Sequence, residues 1–194
     1  MGLPVRKDHE IFTYADYLSW PGDENWELIE GVPFDMSPAP SPYYQEISMN
    51  LSFELLRCIK EKKGKCKVYA APFDVRLPGK NQPDEETLNV VQPDISVICS
   101  PGKIDDKGCK GAPELIIEIV SPATVKKDLK YKLQLYEKHE VPEYWIVLPQ
   151  ERTVQVYRLD ENKTYTRADV YFQDDTIPLK LGKTALEIKL ESVF

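Results

Sequence analysis

Two apolar runs, PELIIEIV at 113–120 and EYWIVLP at 143–149, bracket one segment of helical period from Thr124 to His139. Each run is strand-length and rich in Ile and Val, whereas the segment between them repeats its apolar residues every three to four positions. Strand, helix, strand in this order makes a crossover unit whose helix packs back onto the sheet. That unit fixes the class as α/β, a mixed sheet with helices flanking it.

The rest of the chain fills in around this unit. Thr13 is a capping residue for a short helix over Tyr14 to Ser19, closed by Pro21-Gly22. WELIEGVPFDM reads as strands around a turn at Gly31, and Ser41-Pro42 sets a capping hydroxyl and an N1 proline before a long amphipathic helix ending near Gly64. CKVYAAP, FDVRLP and VQPDISVIC alternate as strands. After EYWIVLP, the segments TVQVYRLD, TYTRADVYF and ALEIKL predict an antiparallel C-terminal extension, with a hairpin turn over Asp160 to Lys163. At 194 residues, without a linker-like tract or an internal repeat, the chain is expected to form one domain.

Composition narrows the function classes. No apolar run reaches the ~20 residues that span a bilayer. The N-terminus MGLPVRKDHEIF lacks a secretory apolar core, so a cytoplasmic protein is expected. Four cysteines without C-x-x-C spacing and only two histidines suggest neither a zinc site nor a disulfide framework. A metal, if bound, should be held by oxygen. The net charge of −7 excludes a strongly basic nucleic-acid binder, although two local runs are basic. Residues 54–67 carry six Lys/Arg against two Glu, and residues 125–138 carry five Lys against one Asp and one Glu.

Two carboxylates sit where strands should be apolar. Asp94 lies at the mouth of PDISVIC and Glu118 lies inside LIIEIV, between Ile116 and Val120 on one face. If these strands pair antiparallel with Asp94 opposite Glu118, opposed residue numbers total 212. The turn then centres at Asp106, within a loop of strong turn composition. The same reasoning sets Asp74 of FDVRLP opposite Asp94, with a total of 168, and predicts a row of three acids. Such a row is stable when a cation sits among the acids or when their pKa values rise, and all-oxygen ligation favours magnesium, manganese or calcium over zinc.

On the crossover helix, Val125, Leu129, Leu133 and Tyr136 form the expected buried stripe, with Lys126, Lys127, Lys130, Gln134 and Lys138 pointing away. Lys132 falls inside the stripe, on the face toward the acids, and Asp128 one turn earlier can orient it. Two metal-binding carboxylates and a lysine are a recurring set for phosphodiester hydrolysis. Taken singly, each residue also has an ordinary structural reading. Pro-Asp is a common strand-opening pair, a lysine can snorkel, and Glu27 of WELIEG can sit on a strand edge.

In this order, WELIEG, SPAPSPYYQ, FDVRL, VVQPDISVI, PELIIEIVSPAT, DLKYKLQLY and VPEYWIVLP resemble the PD-(D/E)XK nuclease superfamily. The likeness is to its large bacterial family of restriction-endonuclease-like proteins, and it covers nearly the whole chain. The resemblance implies a restriction-endonuclease-like sheet, Asp94 and Glu118 as ligands for Mg2+ or Mn2+, and hydrolysis of DNA. Val120 stands where the superfamily places its lysine, and Lys132 matches the position to which that lysine has moved in the resembling family. Glu27 matches a further acidic position, Asp74 is a second-tier acid, and Tyr44-Gln45 replaces a His-Gln pair found in relatives. The basic runs would contact phosphate. The rival expectation is an inactive nucleic-acid-binding or protein-interaction module on the same fold. A homodimer through apolar C-terminal strands is compatible with either.

Overall fold

The computed structural model describes residues 11–20, 26–36, 41–122 and 124–194. The expected helix stop at Pro21-Gly22, and the first residues of SPAPSPYYQ, lie outside these. In chain order the elements are α1 (Tyr14–Tyr17), β1 (Trp26–Ile29), β2 (Val32–Asp35), α2 (Pro42–Glu61), β3 (Lys67–Ala70), β4 (Val75–Arg76), β5 (Val90–Val91), β6 (Ile95–Ile98), β7 (Ile104–Asp105), β8 (Gly108–Lys110) and β9 (Leu115–Ile119). A π-helical segment (Lys127–Lys132) then runs into α3 (Leu133–Lys138), followed by β10 (Glu143–Leu148), β11 (Thr153–Arg158), β12 (Asp169–Phe172), β13 (Thr176–Leu181) and β14 (Thr184–Lys189).

The main sheet has the order β12-β11-β10-β9-β6-β3. Its β9 and β10 run parallel, as the crossover requires, and the other neighbours are antiparallel. One face packs against α2 and the β13-β14 hairpin through Leu51, Leu55, Ile117, Trp145, Leu179 and Ile188. The other face packs against α3 and a second sheet, ordered β2-β1-β5-β4-β8-β7, through Ile116, Tyr136, Tyr144, Val75 and Val91. The fold is therefore α/β, with a mixed sheet, flanking helices and a C-terminal antiparallel extension.

Local chemistry sets the element ends. Thr13 and Asp16 exchange hydrogen bonds in a capping box at α1, and Ser41 Oγ accepts from Tyr44 N–H at the start of α2. Glu30 and Gly31, both at positive φ, close the β1-β2 hairpin. Gly108 also has positive φ, and a Cβ there would clash with the Asp74 carbonyl oxygen, so only glycine lets β8 approach β4.

Two expectations are corrected. The acid row predicted from a total of 168 does not form, because the chain between Ala70 and Val75 leaves the main sheet for the second one. There β4 pairs with β5, matching Val75 with Val91, while β3 pairs with β6, matching Ala70 with Ile95. Cys66 and Cys99 form a disulfide, contrary to the reading that the cysteines suggest no disulfide framework. The pairing of Lys67 with Ile98 makes them the next cross-strand neighbours, a juxtaposition that spacing in sequence does not reveal. Of the C-terminal strands, the β13-β14 hairpin buries Ile177, Leu179, Leu181, Leu186 and Ile188 in the core, whereas Val170 and Phe172 of β12 stay exposed. The hairpin partner β13 was not expected from the sequence, because Pro178 interrupts its pattern.

Candidate active site

The strand arithmetic through Glu118 holds. β6 and β9 pair as Ile95 with Ile117 and Ser96 with Ile116, the register that sets Asp94 opposite Glu118. The intervening turn falls at Asp106 and Lys107. Asp94 Oδ2 accepts a hydrogen bond from Ile119 N–H at 2.6 Å, so the carboxylate is fixed to the neighbouring strand.

Lys132 is 2% exposed and does not snorkel. Its Nζ lies 2.7 Å from Glu118 Oε1, 2.7 Å from Glu27 Oε1 and 3.9 Å from Asp128 Oδ1. Lys127, expected to point away, reaches Glu27 Oε2 at 2.7 Å. The reason is the π-helical winding of Lys127–Lys132, which adds residues to the turn and rotates the buried stripe. Asp128, Lys132, Leu135 and Tyr136 face inward, while Val125, placed in the stripe by an α-helical wheel, is exposed. Glu27 is no strand-edge residue either, being fully buried on β1.

Several members of the cluster carried no signal in their local sequence pattern. Tyr136 Oη donates to Glu118 Oε1 at 2.8 Å, and the Tyr44 phenol hydrogen-bonds Asp94 from the first turn of α2. Gln92 N–H donates to Glu27 Oε1 at 3.0 Å while its side-chain amide donates to Asp74 Oδ1 at 2.8 Å. Asp74 also accepts from the Tyr17 phenol at 3.2 Å, so it joins the site only through Gln92. Tyrosines look like core residues in sequence, and only the family positions of Tyr44 and of Tyr136, the last residue of DLKYKLQLY, could have singled them out.

Among the described residues the cluster gathers four carboxylates, Glu27, Asp94, Glu118 and Asp128, against two ammonium groups, Lys127 and Lys132. Burial pushes Asp94 up to about 6, against the hydrogen bonds from Tyr44 and Ile119. Burial likewise raises Glu118 and Asp128, with Lys132 opposing in each case. For Glu27, Lys132 and Lys127 outweigh burial and hold the carboxyl below its usual range. The Lys132 ammonium is opposed by burial, but Glu118, Glu27 and Asp128 outweigh it and keep the amine charged. No three of the described Asp, Glu, His and Cys side chains form a ready-made metal cage. Magnesium, however, commonly takes only one or two carboxylates and completes its shell with water and substrate phosphate.

Residues 14–191 match the Uma2 family, described as "putative restriction endonuclease". The chain belongs to the Uma2 family. A solved structure from Anabaena variabilis ATCC 29413, described as a "putative nuclease belonging to DUF820", aligns with a TM-score of 0.71 at 20% identity, covering 94% of this chain and 97% of that one. At that identity the likeness establishes a shared fold. Comparison with curated proteins gives no match. Within this Uma2 chain, the three residues that the family resemblance singled out most strongly, Asp94, Glu118 and Lys132, come together in one cluster.

Proposed function

We propose that this Uma2 protein is a metal-dependent endonuclease that hydrolyses DNA phosphodiester bonds. The observation that carries the reading is the convergence of four carboxylates on two ammonium groups: once all four acids ionise, against the burial that raises Asp94, Glu118 and Asp128, the cluster is left two charges negative, a deficit that a divalent cation fills. The donor set is all oxygen, which suits Mg2+ or Mn2+. Asp94 and Glu118 would hold the ion, which when bound would lower the pKa of a water and polarise the phosphate.

The chain's own residues define the remaining tasks. Lys132, kept protonated by its acidic neighbours, acts as a fixed positive charge toward the scissile phosphate and not as a general base. Tyr44 and Tyr136 hold the carboxylates of Asp94 and Glu118 in orientation, while Glu27 and Asp128 orient Lys132. Asp74 is a supporting acid that reaches the site by way of Gln92. Of the basic run at 125–138, Lys126 and Lys130 stay exposed and are suited to phosphate contact. In the other run Arg57 is tied to Glu54 and Glu61.

Conversion of supercoiled plasmid to nicked or linear forms with Mg2+ or Mn2+ tests this reading. The expected result is activity abolished by chelation and reduced at least ~100-fold by Glu118→Ala and by Lys132→Ala. Salt-sensitive DNA binding without strand scission in the wild-type protein would instead favour a binding module on the same scaffold.

A further inference from the structure

The inward face of α2, carrying Ile47, Leu51, Leu55, Cys58 and Ile59, is buried in the core, but its outward face is not polar. Met49 is 73% exposed, Phe53 63% and Leu56 38%, at the i, i+4, i+7 spacing that makes a continuous apolar stripe on a helix. Among the described residues no other element carries three exposed large apolar side chains. The stripe is bounded by charges of opposite sign, Glu46 on the N-terminal side and Lys60 on the C-terminal side, both exposed and neither in an ion pair among the described residues.

This pattern is self-complementary. If two copies of α2 pack antiparallel about a twofold axis at Phe53, opposed residue numbers total 106. Phe53 then meets its own symmetry mate, Met49 and Leu56 flank it, and Glu46 of each copy faces Lys60 of the other. Helix dipoles in this arrangement also oppose head to tail. An apolar centre with a charged rim is the usual anatomy of a protein interface, and a symmetric patch that matches itself is the requirement for an isologous dimer. We infer that the Met49-Phe53-Leu56 face of α2 is the interface of a homodimer, formed by antiparallel packing of α2 against α2 of a second copy. Tyr44 lies on the opposite, core-facing side of the same helix, so the two acid-lysine clusters stay uncovered and each subunit keeps its own site.

Sedimentation velocity over a concentration series, read together with circular dichroism, tests the inference. The wild-type protein is expected to show a monomer-dimer equilibrium. Phe53→Asp should raise the dimer Kd at least tenfold with an unchanged far-ultraviolet spectrum. Glu46→Lys and Lys60→Glu should each weaken the dimer, by about fivefold, and the double exchange should restore it, since only the antiparallel register pairs these positions. A monomer at every concentration, a dimer indifferent to Phe53→Asp, or a double exchange no tighter than the single ones would each overturn the proposal. None of these outcomes depends on nuclease activity.

Discussion

Lys132 shows how one residue can hold a site together. It is shared by Glu27 and Glu118, both buried, so removing its charge leaves two carboxylates without their main partner. Lys132→Met is therefore expected to destabilise the fold by about 3–5 kcal/mol, measured by urea unfolding in chelator. Glu27→Gln in the same background should recover part of that loss, because it removes one of the stranded charges. Asp94 should respond in the opposite direction. Its carboxyl is disfavoured in the ionised form by burial, so Asp94→Asn should raise stability at pH 8 without metal, on the order of 1–3 kcal/mol. Addition of Mn2+ should then raise the unfolding midpoint of the wild-type protein and leave the variant unmoved. A variant no more stable than wild type in chelator would show that the hydrogen bonds from Tyr44 and Ile119 already compensate the charge. Lys132 could be found from the sequence because a charge interrupts an apolar period, whereas Tyr44, Gln92 and Tyr136 could not, since nothing in their local pattern distinguishes them from ordinary packing residues.

Elements fared according to how much of their geometry is local. The β6-β9 register was recoverable because one loop joins the two strands and a single alternation ties both faces. The Asp74 register was not, because β4 changes sheets, and a change of partner leaves no mark on a period of two. The helix after β9 was legible as a helix but not as a π-helical turn, and that winding is what swings Lys127 onto Glu27 and Val125 outward. At the end of α3, His139 gives a pH test. Burial, then the charge of Lys138, lowers its pKa from 6.5, with Glu30 opposing, and Asn89 lies 3.4 Å from its ring. The unfolded chain thus takes up a proton more readily than the folded one, so stability falls as pH drops below 6.5 toward the depressed folded value. His139→Asn should flatten that part of the profile, visible as a smaller difference between urea midpoints at about pH 7 and about pH 5; an unchanged difference would assign the acid loss to other groups.

At the scale of the whole molecule, the two sheets and the crossover helix enclose the acid-lysine cluster between them, and the disulfide ties β3 to β6 on the same sheet that carries Asp94. Closing a loop of 33 residues, this bridge is expected to contribute about 3–4 kcal/mol. Reduction, or Cys66→Ser, should lower the urea midpoint accordingly, and equal midpoints with and without reductant would show that the bridge does not form in solution. No helix among the described residues is long and apolar enough to cross a membrane. By itself, the sequence determined the crossover unit, the caps, the convergence of Asp94 with Glu118 and the inward position of Lys132, because each depends on periods and short loops that residues a few positions apart encode. Only the tertiary structure decided which sheet received Asp74, which cysteines met, which apolar strands were spent on the core and which acids shared the lysine. Those outcomes depend on pairing between distant segments, where the energy lies in contacts that no local pattern contains.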